Sequence, residues 1–149
     1  MVRKMKTMTL EKDLIQTLIT QAIGASKNCY APYSKFHVGA ALLDKTGKIH
    51  LGCNVENAAY GSTMCAERTA FYKAISEGVR EFQAICIVGG PLGELKDYAA
   101  PCGSCRQVMS EFCRPDEFQI ILATSTEQYD VYTLKELLPL GFTPENLRK

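Results

Sequence analysis

The chain lacks any run approaching the ~18 consecutive apolar residues that a membrane span needs. Its first ten residues, Met1 to Leu10, carry charges but no apolar block of the kind a secretory signal requires. No membrane partner is expected, and the expected location is the cytoplasm. Charge of one sign is equally scarce: 17 Lys+Arg stand against 16 Asp+Glu, a formal +1, and the only basic cluster is Arg3, Lys4 and Lys6. Nucleic-acid binding relies on clustered cations that displace phosphate counterions, so no nucleic-acid partner is expected. The seven cysteines are too sparse for a disulfide scaffold, odd in number and unaccompanied by an export signal, which favours free thiols or metal ligands. There is no internal repeat, low-complexity tract or linker, so the 149 residues read as one domain, 1–149. With 46% apolar and 22% charged residues the composition is that of a globular protein and excludes disorder or a collagen-like fibre. A chain of this length should bury roughly 70% of its unfolded surface.

Leu10, Leu14, Leu18 and Ala22 recur at helical spacing, flanked by Ile15, Ile19 and Ile23, with Thr9 placed to cap, which predicts a helix over 9–28. Phe36 to Leu43, the turn Asp44 to Gly47, and Lys48 to Val55 predict a β-hairpin. A helix follows over 62–78, with Gly78 at its C-terminal cap. Phe82 to Val88 has no polar alternation and reads as a buried strand, and Gly89 to Ala100 as a loop. A further helix is expected from Pro101 to about Phe112, then strands near 118–123 and 129–132, then a helix opened by the capping-box spacing of Thr133 and Glu136. Interleaved strands and helices predict a mixed sheet packed between helices.

The strongest chemical signal is Pro101-Cys102-Gly103-Ser104-Cys105. Taken alone, this Cys-x-x-Cys pair fits a structural zinc knuckle, a redox pair or two buried thiols equally well. Cys65-Ala66-Glu67-Arg68 supplies a third sulfur, also at an expected helix start. Three thiolates suit zinc, and helix N-termini favour the ionised sulfur. Residues two apart lie on opposite faces of a helix, so Cys65 and Glu67 can serve one ion only if the helix begins near Met64 or Cys65 rather than at Ser62. Glu67 is otherwise an ordinary first-turn carboxylate, whereas beside an open zinc position it can carry the proton released by activated water. Zn²⁺ with three thiolates sums to −1, and Arg68 beside the sulfurs would offset that charge. Cys29, Cys53, Cys86 and Cys113 read as small buried residues, and His37 and His50 as structural or solvent-facing hairpin residues.

Cys65-Ala-Glu67 and Pro101-Cys102-Gly-Ser-Cys105 match the signature of zinc nucleobase deaminases, with Cys in place of the first His. The sequence resembles the small, three-cysteine, homotetrameric cytidine deaminases. The likeness extends from Ala31-Pro-Tyr-Ser-Lys-Phe36 and Val38-Gly-Ala-Ala-Leu-Leu43 through Cys53-Asn-Val-Glu-Asn57 to Leu137-Leu-Pro139. It implies an α/β fold, a three-layer α/β/α sandwich on a mixed sheet of about five strands. It also implies one zinc per subunit on Cys65, Cys102 and Cys105, with Glu67 as proton shuttle for attack of water at C4 of the cytosine ring. Phe36, Asn54, Glu56 and Ala66 would bind the nucleoside, the amide of Asn54 and the carboxylate of Glu56 meeting the ribose hydroxyls. Ala58, Tyr60 and Phe142 would reach a neighbouring subunit's pocket. The implied reaction is hydrolytic deamination of cytidine and deoxycytidine in pyrimidine salvage. Two features depart from the family pattern: Ser104 stands where Ala is common, and the loop from Gly89 to Ala100 is long.

Three other readings compete. A relative of the family deaminates the nucleoside antibiotic blasticidin S. A noncatalytic zinc module would close the fourth position with Cys53, Cys113 or a histidine. Deamination within RNA or DNA would need a basic strand-binding surface that a charge of +1 does not advertise.

Overall fold

The computed structural model describes residues 10–148, so the cap Thr9 and the cluster Arg3, Lys4 and Lys6 lie outside the described residues. Helix α1 spans Lys12–Ser26, with Glu11 at its N-cap, and buries Leu18, Ile19 and Ala22 completely. Strands β1 (Phe36–Asp44) and β2 (Ile49–Cys53) form the expected antiparallel hairpin. Asp44 fastens its turn: Oδ1 accepts from the backbone N–H of Thr46 at 2.8 Å and of Lys48 at 3.1 Å. Then come α2 (Ala66–Ser76), β3 (Phe82–Pro91), α3 (Gly103–Phe112), β4 (Gln119–Ser125), β5 (Gln128–Thr133) and α4 (Leu134–Leu137). Thr133 and Glu136 form the capping box that their spacing predicts.

The sheet order is β2-β1-β3-β4-β5. Among the strand pairs of the described residues, β3 and β4 alone run parallel, which makes the sheet mixed. Alternate residues of β1 and β3 face opposite sides. Ala41, Leu43, Ala84, Cys86 and Val88 meet α1, whereas Ala40, Leu42, Ile85 and Ile87 join the core beneath α2 and α3. Both faces are covered, and for that reason these strands carry no polar alternation. Phe71 of α2 anchors the second layer, its ring centroid 5.0 Å from Phe82 and 6.0 Å from Phe118. Two glycines set how closely the helices approach. A Cβ on Gly39 would lie 2.0 Å from the Ala22 carbonyl oxygen of α1, and one on Gly52 would lie 2.4 Å from the Ala66 carbonyl oxygen of α2.

Several boundaries differ from the sequence reading. The loop begins only after Pro91, because Gly89, Gly90 and Pro91 pair with Val38, His37 and Phe36 and prolong β3. Helix α3 begins at Gly103 rather than Pro101, because Cys102 is the extended N-cap, with ψ 171°. The helix over 62–78 is likewise shorter, and Ser62 belongs to a separate 3-10 turn, Tyr60–Ser62.

The topology positions the cysteines. β1 runs antiparallel to both β2 and β3, so β2 and β3 point the same way. Helix α2 follows β2 and α3 follows β3, so both helices begin at one end of the sheet.

Candidate functional site

Cys65 is the N-cap of α2, with an extended backbone at φ −74° and ψ 155°. That geometry resolves the facing problem, since Cys65 lies outside the helix while Glu67 lies in its first turn. Cys102 caps α3, and Cys105 follows in that helix's first turn. The Sγ atoms of Cys65 and Cys102 are 3.7 Å apart, those of Cys102 and Cys105 3.6 Å, and all three lie within 4.8 Å of one another. Tetrahedral zinc with bonds of about 2.3 Å would place its sulfurs about 3.8 Å apart. The donor set therefore fits zinc.

Electrostatics support the same fit. Hydrogen bonding from Cys105 pulls the Cys65 thiol down to about 5 despite its burial, with help from Arg68 and Cys102. The same interaction and burial push Cys105 upward. One thiolate thus suppresses the next, and a divalent cation would relieve the conflict. Arg68 places an Nη 3.4 Å from Cys65 Sγ, where a charge-compensating cation was expected, and its Nε is buried without a partner. Among the described residues no further His, Cys, Asp or Glu joins the sulfur cluster. Cys113 instead borders a cavity of about 380 Å³ at the opposite end of the sheet. His50 is buried against Asp44, Nε2 to Oδ2 at 2.9 Å.

Glu67 is only 4% exposed. Burial, reinforced by the charge of Cys65, raises its carboxyl to about 7. It borders a cavity of about 270 Å³ together with Phe36, Asn54, Ala66, Cys65 and Cys102. This one space brings together the catalytic candidate, two of the sulfurs and three of the four substrate-binding candidates.

Asn54 is tied to β1: its Nδ2 donates to the Phe36 carbonyl at 2.8 Å, and its Oδ1 accepts from the Val38 N–H at 3.0 Å. It thereby fixes two residues of the cavity wall. The fourth candidate, Glu56, borders an adjoining space of about 400 Å³ with Tyr33, Ser34 and Tyr60, and Thr63 touches both spaces. Its carboxylate accepts from the Ser34 hydroxyl and from the backbone N–H groups of Tyr33 (3.0 Å) and Ser34 (3.1 Å), which holds it ionised below its usual range. Ala58 and Phe142 border neither space; both are exposed, as is Tyr60.

Sequence reasoning missed Val38, Thr63, Met64, Ala99 and Ala100, which complete the first cavity. The signal was adjacency. Thr63 and Met64 directly precede Cys65, Ala99 and Ala100 precede Pro101-Cys102, and Val38 shares a strand face with Phe36.

Residues 12–121 match the family model of the cytidine and deoxycytidylate deaminase zinc-binding region. A cytidine deaminase of Halalkalibacterium halodurans is 48% identical over 89% of this chain and 96% of its own. The crystal structure of a cytidine deaminase from Burkholderia pseudomallei superposes with a TM-score of 0.77 at 46% identity, covering 85% of this chain and 97% of that one. A blasticidin-S deaminase of Bacillus cereus is more distant, 35% identical over 74% of this chain and 79% of its own. The cysteine cluster and Glu67 lie inside the matched region, and the chain belongs to the cytidine and deoxycytidylate deaminase family of zinc-binding enzymes.

Proposed function

We propose that the protein hydrolyses cytidine and deoxycytidine to uridine and deoxyuridine, releasing ammonia. One observation carries the reading: three sulfurs at zinc-like spacing stand beside a buried carboxyl that opens on the same cavity, with no fourth protein donor among the described residues. Cys65, Cys102 and Cys105 would hold one zinc per subunit, which when bound brings the pKa of water from 15.7 toward ~7.

Glu67 is the residue that moves protons. Its carboxyl, raised to about 7, accepts a proton as water adds at C4 of the cytosine ring and gives it to N3. A second transfer through the same carboxyl carries the proton of the added hydroxyl to the exocyclic amine, the C4–N bond breaks, and ammonia leaves a carbonyl at C4. Phe36 would lie against the base. The ionised Glu56 and the amide of Asn54 would accept from and donate to the ribose hydroxyls, Asn54 while also bracing β1. Ala66, in the cavity wall, would meet the base through its backbone.

The assembly is proposed as a homotetramer in which Ala58, Tyr60 and Phe142 complete a neighbour's pocket. Support comes from the exposure of two large aromatic side chains, Tyr60 (73%) and Phe142 (61%). None of the seven cysteines is joined in a disulfide, which suits the proposed cytoplasmic location, and the proposed role of the reaction is pyrimidine salvage.

The test is Glu67→Gln with metal analysis and ammonia release. Zinc should remain at the wild-type level while turnover falls by orders of magnitude; unchanged turnover, or a wild type without zinc, would sink the reading. Cytidine should outperform free cytosine and blasticidin S in the same assay. Preference for blasticidin S would move the assignment to the antibiotic deaminases.

A further inference from the structure

Arg106 follows Cys105 directly in α3, yet its side chain turns away from the helix ladder to two backbone carbonyls. Nε donates to the Pro101 oxygen at 2.7 Å, and an Nη donates to the Leu137 oxygen at 2.6 Å. Pro101 immediately precedes Cys102, and Leu137 ends α4. One half-buried guanidinium therefore ties the loop carrying a zinc-site cysteine to the far end of the chain. The neighbouring Gln107 binds the same C-terminal stretch further on, Nε2 to the Phe142 oxygen at 2.7 Å.

The Pro101 carbonyl needs this donor. Pro101 is buried, and because α3 begins only at Gly103 the first helical acceptor is the Cys102 carbonyl, which receives the Arg106 N–H at 3.0 Å. The Pro101 oxygen lies one residue outside the ladder and would be a buried orphan without a side-chain partner. A guanidinium presents its N–H groups in a rigid planar fork, so meeting both carbonyls at once fixes the loop in direction as well as distance. Cys102 is the exposed member of the sulfur cluster and sits in extended backbone, so its position depends on how firmly that loop is anchored.

We propose that Arg106 is a positioning residue for the metal site: its fork pins the Pro101 carbonyl to the end of α4 and thereby holds the Cys102 sulfur at ligand spacing. The inference rests on the zinc reading of the cysteine cluster. Its consequence is retention of the metal, since partners behind the ligands typically govern metal affinity by 10–100-fold.

The test compares zinc release from loaded wild type, Arg106→Met, Arg106→Lys and Gln107→Leu to excess EDTA, together with the thermal midpoints of the zinc-loaded and zinc-stripped proteins. Arg106→Met should release zinc about 10–100-fold faster. Arg106→Lys, which keeps the charge but loses the fork, should fall between, and Gln107→Leu should match wild type. The midpoint gained on loading zinc should shrink in the Arg106 variants. Wild-type release rates in folded Arg106→Met and Arg106→Lys, or equal losses in loaded and stripped midpoints, would overturn the proposal. If Arg106→Met does not fold, the Arg106→Lys arm decides. Failure of wild type to take up zinc at all would mark failure of the metal reading instead.

Discussion

At the scale of single residues, Asp44 shows how a buried charge is put to structural use. It is 3% exposed, and burial alone would push its carboxyl up. Hydrogen bonds from Thr46, His50 and the Lys48 N–H outweigh that burial and hold it well below the usual carboxylate range. The unfolded chain binds this proton near pH ~3.9 while the native state does not, so the stabilisation is full above that value and is lost as pH falls toward the depressed native one. Asp44→Asn should therefore cost about 1.5–3 kcal/mol at pH 5 and above. The gap from wild type should narrow progressively below pH ~4. Urea unfolding at pH 6 and at pH 3 checks this, and a gap that stayed constant with pH would refute it.

At the scale of elements, contact between helix and sheet backbones positions the cysteine cluster. Gly52 of β2 lies under α2, where a Cβ would come 2.4 Å from the Ala66 oxygen and 2.6 Å from the Ala70 nitrogen. Those obstacles are backbone atoms and cannot rotate away. Gly52→Ala must shift α2 as a body, and with it Cys65 and Glu67, so a loss of about 1–3 kcal/mol should accompany a fall in bound zinc. Gly24 of α1 is the contrasting case, with nothing within 4 Å of its would-be Cβ. Gly24→Ala should stabilise by about 1 kcal/mol through helix propensity and leave zinc untouched. Thermal unfolding with metal analysis of both variants separates the two effects, and a Gly52→Ala protein as stable and zinc-replete as wild type would contradict the account.

At the scale of the whole molecule, the Glu56 space opens beside Tyr60, and the C-terminal segment leaves Leu140, Phe142 and Leu147 exposed. The proposed homotetramer should sediment at four times the 16.5 kDa chain mass. Phe142→Ala should raise KM for cytidine several-fold while zinc content stays constant. A monomer with full turnover would refute the shared site.

Much of this was legible locally. The capping box of Thr133 and Glu136, the opposed faces of Cys65 and Glu67 that require a helix start near Met64 or Cys65, and the three-sulfur motif all depend on neighbours within a few residues. The extension of β3 to Pro91 was not, because it rests on pairing with Phe36 to Val38 some fifty residues away. Nor was the N-cap at Cys102, which exchanges a favourable Pro at the first helical position for an extended cysteine. The bracing of β1 by Asn54 and the Arg106 fork depend on carbonyls that only the folded chain brings near. The sequence by itself singled out the candidate residues, because sulfur, carboxyl and helix-start preferences are properties of short segments. The tertiary structure alone decided that they meet: β2 and β3, both antiparallel to the β1 between them, send two helix N-termini to one end of the sheet, and the close approach at Gly52 seats the first of those helices.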